Sequence, residues 1–335
     1  MNKKSIIGGI LLFIVFAMLY SCTGGDKIKV GYLIPNTKIE RYKKEQVYFE
    51  EKIRELGGEA ITLSAEFDDK LQIKQADELI SKGVKVLVVN CVNQNTAAAI
   101  VRNAHDKNIK VIAYDRMISN CDLDYYLSFD NVEVGKQMAE YALKLKPEGN
   151  YILLGGDRAD KNAIYVKNGQ MQVLDPAIKS GKVKIVYNIY VEDWSGENAE
   201  HDLKQFLKLT GETPDVILSS NDGMATGAIS ALKLYNLDGK VVVTGQDAEL
   251  AACRNIVQGK QSMTVYKPIK KLAYAAAELA MTLAKNEKFS GSVTTISNGT
   301  KNVDAILLNP VVVDKDNLKA TVIADGLLTE SDVYQ

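Results

Sequence analysis

Histidine is almost missing from this 335-residue chain, tryptophan occurs once, and neither sign of charge prevails: 41 Lys plus Arg stand against 42 Asp plus Glu, a formal charge of −1. With the basic residues scattered rather than gathered in a stripe, there is no electrostatic case for nucleic acid. His105 and His201 fall on separate predicted helices without a ligand-spaced neighbour, which leaves no histidine metal site. Cys91, Cys121 and Cys253 form no CxxC, and Cys91 and Cys253 sit in apolar surroundings, so free thiols are expected. Neither G-x-G-x-x-G nor G-x-x-x-x-G-K-[ST] occurs, which argues against a dinucleotide or nucleotide phosphate. No cofactor is expected.

An apolar run from Ile6 to Tyr20, broken only by Gly8 and Gly9, follows Lys3 and Lys4. At about 15 residues it is short for a membrane span and the right size for the apolar part of a secretory signal. Leu19, Tyr20, Ser21 and Cys22 resemble the lipobox of bacterial lipoproteins. The expectation is a signal peptide over 1–21, lipidation at Cys22, a tether over 22–26 and anchoring to a membrane through lipid. An uncleaved anchor helix is the alternative, and either leaves the rest of the chain outside the cytoplasm. Loss of Lys3 and Lys4 takes the charge from −1 to −3.

What remains is ordinary globular material, 46% apolar and 25% charged, long enough for two cores. Strand-like runs alternate with helical periodicity: strand 27–34, helix 40–56 closed by Gly57 and Gly58, strand 60–65, helix near 73–80, strand 84–90, helix 96–106, strand 110–114. The rhythm falters around 125–131 and restarts with helices at 132–145, 163–174, 196–209, 225–235 and 248–258. Strands at 150–156, 183–190, 215–220 and 240–245 lie between them. Such alternation specifies βαβ units and parallel sheets. A strand at 263–266, a helix at 268–285 and strand-like pieces at 304–308 and 310–313 complete the chain. The expected fold is α/β, two doubly wound parallel-sheet domains joined by a three-crossover hinge. The lobes are read as 27–130 plus 265–308 and 131–264 plus 309–335.

Polar groups collect where these strands end, the position at which open α/β sheets hold ligands. In chain order they are Glu40-Arg41-Tyr42, Asp115-Arg116, Asn162, Trp194, Asn221-Asp222, Gln246-Asp247 and Lys267. Carboxylates and amide oxygens accept from hydroxyls, while Arg, Lys and amide N–H groups donate to them. A flat aromatic ring covers the C–H face of a pyranose. The set suits a neutral polyol. Each residue also has a plainer use: Asp115 and Arg116 can pair with each other, Glu40 can sit as a helix-end charge, Lys267 can simply open a helix. Asp222 is read as a helix cap.

At AYDRMI (113–118), YLSFDN (126–131), GQM (169–171), SND (220–222), GQDAEL (245–250) and MTVYKPI (263–269) the chain resembles the type I periplasmic sugar-binding proteins of bacterial ABC import systems. The resemblance runs from about Lys27 to the C-terminus. It implies a monomeric, extracytoplasmic receptor for a monosaccharide, D-xylose first and ribose, arabinose or galactose as alternatives, with an ABC permease or a membrane sensor kinase as partner. Carried over position by position, it implies sugar contacts from Arg41, Asp115, Arg116, Asn162, Asn221, Asp247 and Lys267. Trp194 becomes a stacking platform opposed by Tyr42, which stands where the family usually has tryptophan. An enzyme using Asp115 and Asp247 as an acid/base pair is disfavoured, because cationic or amide neighbours would keep both ionised.

Overall fold

The computed structural model describes residues 27–335. The expected signal peptide, Cys22 and the tether lie outside the described residues.

The first sheet is built from β1 (Lys29–Ile34), β2 (Glu59–Ser64), β3 (Val86–Val89), β4 (Lys110–Tyr114), β5 (Tyr125–Phe129), β11 (Thr294–Ser297) and β12 (Asn302–Leu308). Its strand order is β11-β12-β5-β4-β3-β1-β2, parallel throughout except for β11 against β12. Parallel strands buried on both faces need continuous apolar side chains, and VLVV of β3 is wholly buried. Phe49 and Ile53 of α1 (Glu40–Glu55) and Leu272, Ala276 and Ala280 of α9 (Ile269–Ala284) cover one face. Leu79 of α2 (Asp69–Ser81) and Ile100 and Val101 of α3 (Ala98–His105) cover the other.

A second sheet has the order β7-β6-β8-β9, from β6 (Gly149–Gly155), β7 (Val183–Tyr190), β8 (Val216–Ser219) and β9 (Val242–Val243). A parallel bridge between Gln246 and Val265 extends it to β10 (Thr264–Tyr266), which pairs antiparallel with β13 (Val311–Val313). Val265 and Tyr266 therefore belong to this second sheet. On one face lie α4 (Asn131–Leu145) and α5 (Lys161–Lys179), on the other α6 (Gly196–Thr210) and α7 (Asp222–Lys233). Gly169 of the GQM segment lets α5 approach α4: a Cβ there would lie 2.0 Å from the Val132 carbonyl oxygen. Helix α8 (Leu250–Val257), the segment 319–323 and α10 (Glu330–Val333) enclose a small apolar cluster beside β10 and β13.

Both sheets are doubly wound, and the chain passes between them after β5, after β10 and after β12. The faltering stretch at 125–131 is β5, a buried strand running straight into α4. The expected strand at 240–245 contributes only two ladder residues, because Gly245 and Gln246 turn out toward β10. Cys91, Cys121 and Cys253 are buried free thiols.

Candidate functional site

The carboxyl ends of both sheets face one another, and the residues after β1, β4, β6, β7, β8, β9 and β10 meet there. After β1, buried Asn36 accepts from the backbone N–H groups of Lys38 and Ile39 at 2.7 and 2.9 Å. This Asx turn leads into α1 and places Arg41 and Tyr42 in its first turn.

Arg41 is the hub. Its Nε donates to Glu45 Oε1 at 3.0 Å, its Nη2 lies 3.2 Å from Asp115 Oδ1, and its Nη1 lies 3.8 Å from Asp247 Oδ1. Asp247 in turn has Lys267 Nζ at 3.6 Å. Four expected site residues, two carboxylates and two cations, thus form one cluster across the lobes. Asp247 Oδ1 is enclosed and accepts no hydrogen bond from the described residues.

Asp115 follows β4 with φ of 63° and Asp247 follows β9 with φ of 94°, in the left-handed region that side chains disfavour. The surroundings hold Asp115 there: its N–H donates to Leu127, and its carbonyl oxygen accepts from Tyr126, Ser128 and Asn162. Backbone strain that a fold over-determines in this way is characteristic of functional sites. Burial would raise the Asp115 carboxyl, but Arg41, Lys267 and Arg116 outweigh it and hold it below the usual carboxylate range. This pins the charge as an acceptor and leaves it unfit as a general acid.

Arg116 points elsewhere. Its Nε lies 3.6 Å from Asp160 Oδ2, a residue of the opposite lobe that also caps α5 through the Asn162 N–H. The plain pairing of Asp115 with Arg116 is therefore not the arrangement found. Burial raises the Asp160 carboxyl while Arg116 pulls it down. Asn162 spends its amide inside the protein, accepting from Asn131 Nδ2 at 3.0 Å and donating to the Asp115 carbonyl at 3.3 Å. Tyr42 is buried close to Arg116.

Trp194 sits in a short turn after β7 with φ of 55° and is partly buried. Its ring packs against Gly156, where a Cβ would come within 2.3 Å of ring carbons. Asn221 is beside it, with Nδ2 3.5 Å from the Trp194 carbonyl oxygen. Asn221 is also the N-cap of α7, accepting from Met224 N–H at 2.8 Å. This corrects the reading of Asp222 as the cap. Asp222 is instead the first residue of α7, fully buried, and accepts from Gln261, Thr264 and the Glu249 N–H at 2.8, 2.9 and 3.0 Å. It braces the loop that carries Asp247.

Sequence reasoning missed Glu45 and Asp160. A glutamate four residues into a helix reads as solvent-facing, and a helix-capping aspartate reads as nothing more. A groove of about 860 Å³ beside Asp77, Ile109 and Leu283 lies at the amino-terminal ends of β3 and β4, away from this cluster.

Comparison with known proteins gives the arrangement its context. A family profile described as a periplasmic binding protein domain matches residues 30–288. The chain is 44% identical over 326 residues to the D-xylose-binding periplasmic protein of Haemophilus influenzae, covering 97% of this chain and 98% of that one. With the D-xylose-binding periplasmic protein of Escherichia coli it shares 40% identity over 329 residues, 98% of this chain and 99% of the other. A crystal structure of an ABC transporter solute-binding protein from Clostridium phytofermentans with bound β-D-glucose matches with a TM-score of 0.82 at 29% identity, covering 91% of this chain and 99% of that one. These relatives are transport receptors rather than enzymes. From matched profile, near-complete alignments and shared architecture, the chain belongs to the periplasmic binding protein family, among its type I sugar-binding members.

Proposed function

We propose that this protein is an extracytoplasmic receptor that closes on D-xylose between its two lobes and presents the closed form to an ABC permease. The observation that carries the reading is the Arg41, Asp115, Asp247 and Lys267 cluster, which supplies charged donors and acceptors from both lobes at one point. Asp115 and Asp247 accept from sugar hydroxyls, Arg41, Arg116 and Lys267 donate to their lone pairs, and Asn221 adds an amide at the far side. Asn162 acts from behind the site, ordering the Asp115 carbonyl. Trp194 stacks on the C–H face of the ring, with Tyr42 opposite.

Two alignments at 40% identity or more with D-xylose-binding proteins favour that pentose over other sugars. Binding energy enters as closure, since contacts from both lobes exist together only in the closed form. Cys22 carries the lipid that tethers the receptor, as a monomer, at the envelope.

The test is titration of the purified protein with D-xylose, D-ribose, L-arabinose, D-glucose and D-galactose, read through Trp194 emission and by calorimetry. Saturable D-xylose binding, tighter than for the others, is expected. A flat xylose titration would end the claim. Labelling cells with a palmitate analogue tests the anchor, and incorporation that persists in Cys22→Ser would refute it.

A further inference from the structure

Beneath the Arg41 guanidinium lies a carboxylate too deep for a sugar to touch. Glu45, one turn along α1, is fully buried on the helix face that also carries Phe49 and Ile53. Its Oε1 accepts from Arg41 Nε at 3.0 Å, and its Oε2 takes no hydrogen bond from the described residues. Near it are the buried hydroxyls of Tyr32 from β1 and Tyr114 from β4, likewise without a hydrogen-bond partner among the described residues. A buried ion pair is weak support for stability, since replacing both partners by packed apolar groups is often neutral or better, while removing one partner is costly when it strands the other charge. Arg41 keeps Asp115 Oδ1 at 3.2 Å when Glu45 is neutralised and so is not left unpaired.

We propose that Glu45 is the positioning residue of the sugar site. By occupying Nε it fixes the plane of the Arg41 guanidinium, so that Nη2 faces Asp115 in one lobe and Nη1 faces Asp247 in the other. An arginine held on one edge loses less freedom when a ligand engages the other. The inference rests on the reading of Arg41 as a sugar contact.

Its charge state makes the role measurable. The groups facing Glu45 are Arg41 on its own helix, Tyr32 from β1, Tyr114 from β4 and Asp115 beyond β4. Burial pushes its carboxyl up to about 7, against the pull of Arg41 and with the push of Asp115. Below that pH the carboxyl is neutral and its hold on Arg41 weakens, so sugar affinity falls on acidification.

The experiment compares wild type, Arg41→Ala, Glu45→Gln and Glu45→Leu by D-xylose calorimetry between pH 5.5 and 8.5, with a thermal melt of each. Glu45→Gln is expected to bind about tenfold more weakly than wild type at pH 8, with a pH profile shallower than wild type and a melting temperature equal to or above wild type. Glu45→Leu is expected to be folded and weaker still. Wild-type affinity and pH profile in both Glu45 variants, while Arg41→Ala loses binding, overturns the positioning role alone. Affinity that drops only together with melting temperature assigns Glu45 to the fold and also overturns it. If the wild type binds no sugar, or Arg41→Ala binds as well as wild type, the sugar-site reading fails first and this inference with it.

Discussion

Arg41 Nη1 and Asp247 Oδ1 stand 3.8 Å apart with one lobe behind each. The separation exceeds a hydrogen bond, yet neither end is free to close it. Glu45 and Asp115 hold the guanidinium, and the Asp247 backbone is fixed by φ of 94° and by its N–H to Val265. A charged donor and a charged acceptor kept just out of reach of each other are what a hydroxyl placed between them can bridge.

Asp247→Asn tests the acceptor without disturbing the backbone, because asparagine tolerates the left-handed region better than alanine does. Removing the charge takes away a charge-assisted hydrogen bond worth about 2 kcal/mol, so D-xylose affinity should fall roughly 30-fold. Calorimetry measures it, and a circular dichroism melt within a few degrees of wild type shows that the fold persists. Near wild-type affinity would mean that another residue anchors the sugar.

Gly156 and Trp194 make a second pair. A methyl at 156 would meet the indole ring at 2.3 Å and must displace it. Gly156→Ala should therefore weaken D-xylose binding about fivefold, in keeping with the ~1 kcal/mol that aromatic packing contributes beyond area, and should shift the emission of the single tryptophan in the absence of sugar. An unchanged spectrum and unchanged affinity would show that the ring platform does not depend on this glycine.

Much of this was legible beforehand where one period dominated. The continuous apolar runs of β3 and β8 and the amphipathic helices between them could hardly be anything else. Strand β11 was not legible, because Thr294–Ser297 is an exposed edge whose partner β12 supplies the order. At the site, Asp115 and Asp247 stood out because each follows a strand. The cap passed from Asp222 to Asn221 because neighbouring residues at a strand end differ only in which one the helix start takes up. Glu45 was hidden, since its burial comes from β1 and from β4, which is remote from it in the chain.

Outside the central cluster the contacts that join the lobes include Arg116 with Asp160, Gln94 Nε2 donating to the Ala159 carbonyl at 2.5 Å, and Lys44 Nζ donating to the Leu327 carbonyl at 2.6 Å. Asp160→Asn preserves the cap of α5, since asparagine and aspartate cap equally well, and removes only the charge facing Arg116. The closed form loses part of its advantage, and D-xylose affinity should fall three- to tenfold without a change in sugar preference. Small-angle scattering of the sugar-free variant should show a larger radius of gyration than wild type. Unaltered affinity and radius would show that this pair does not bias closure.

Stability should respond to pH through the buried acids. Glu45 and Glu249 each move from their ordinary 4.5 to about 7, chiefly through burial, and burial also raises Asp222 and Asp160. A carboxyl with a raised folded-state pKa binds protons more tightly in the folded chain. Its stabilising effect is therefore complete below the unfolded value and is lost as pH rises through the folded one. For Glu45 this amounts to on the order of 3 kcal/mol between pH 4.5 and pH 8. Asp115 acts oppositely, since its lowered pKa stabilises the fold above about pH 4 and the effect fades in stronger acid. Urea unfolding midpoints should consequently be highest near pH 5 and decline toward pH 8, and Glu45→Gln should make that decline shallower, with Glu249 supplying the rest. A midpoint that rises steadily from pH 5 to pH 8 in the wild type would mean that Arg41 keeps Glu45 ionised throughout, with burial the weaker influence.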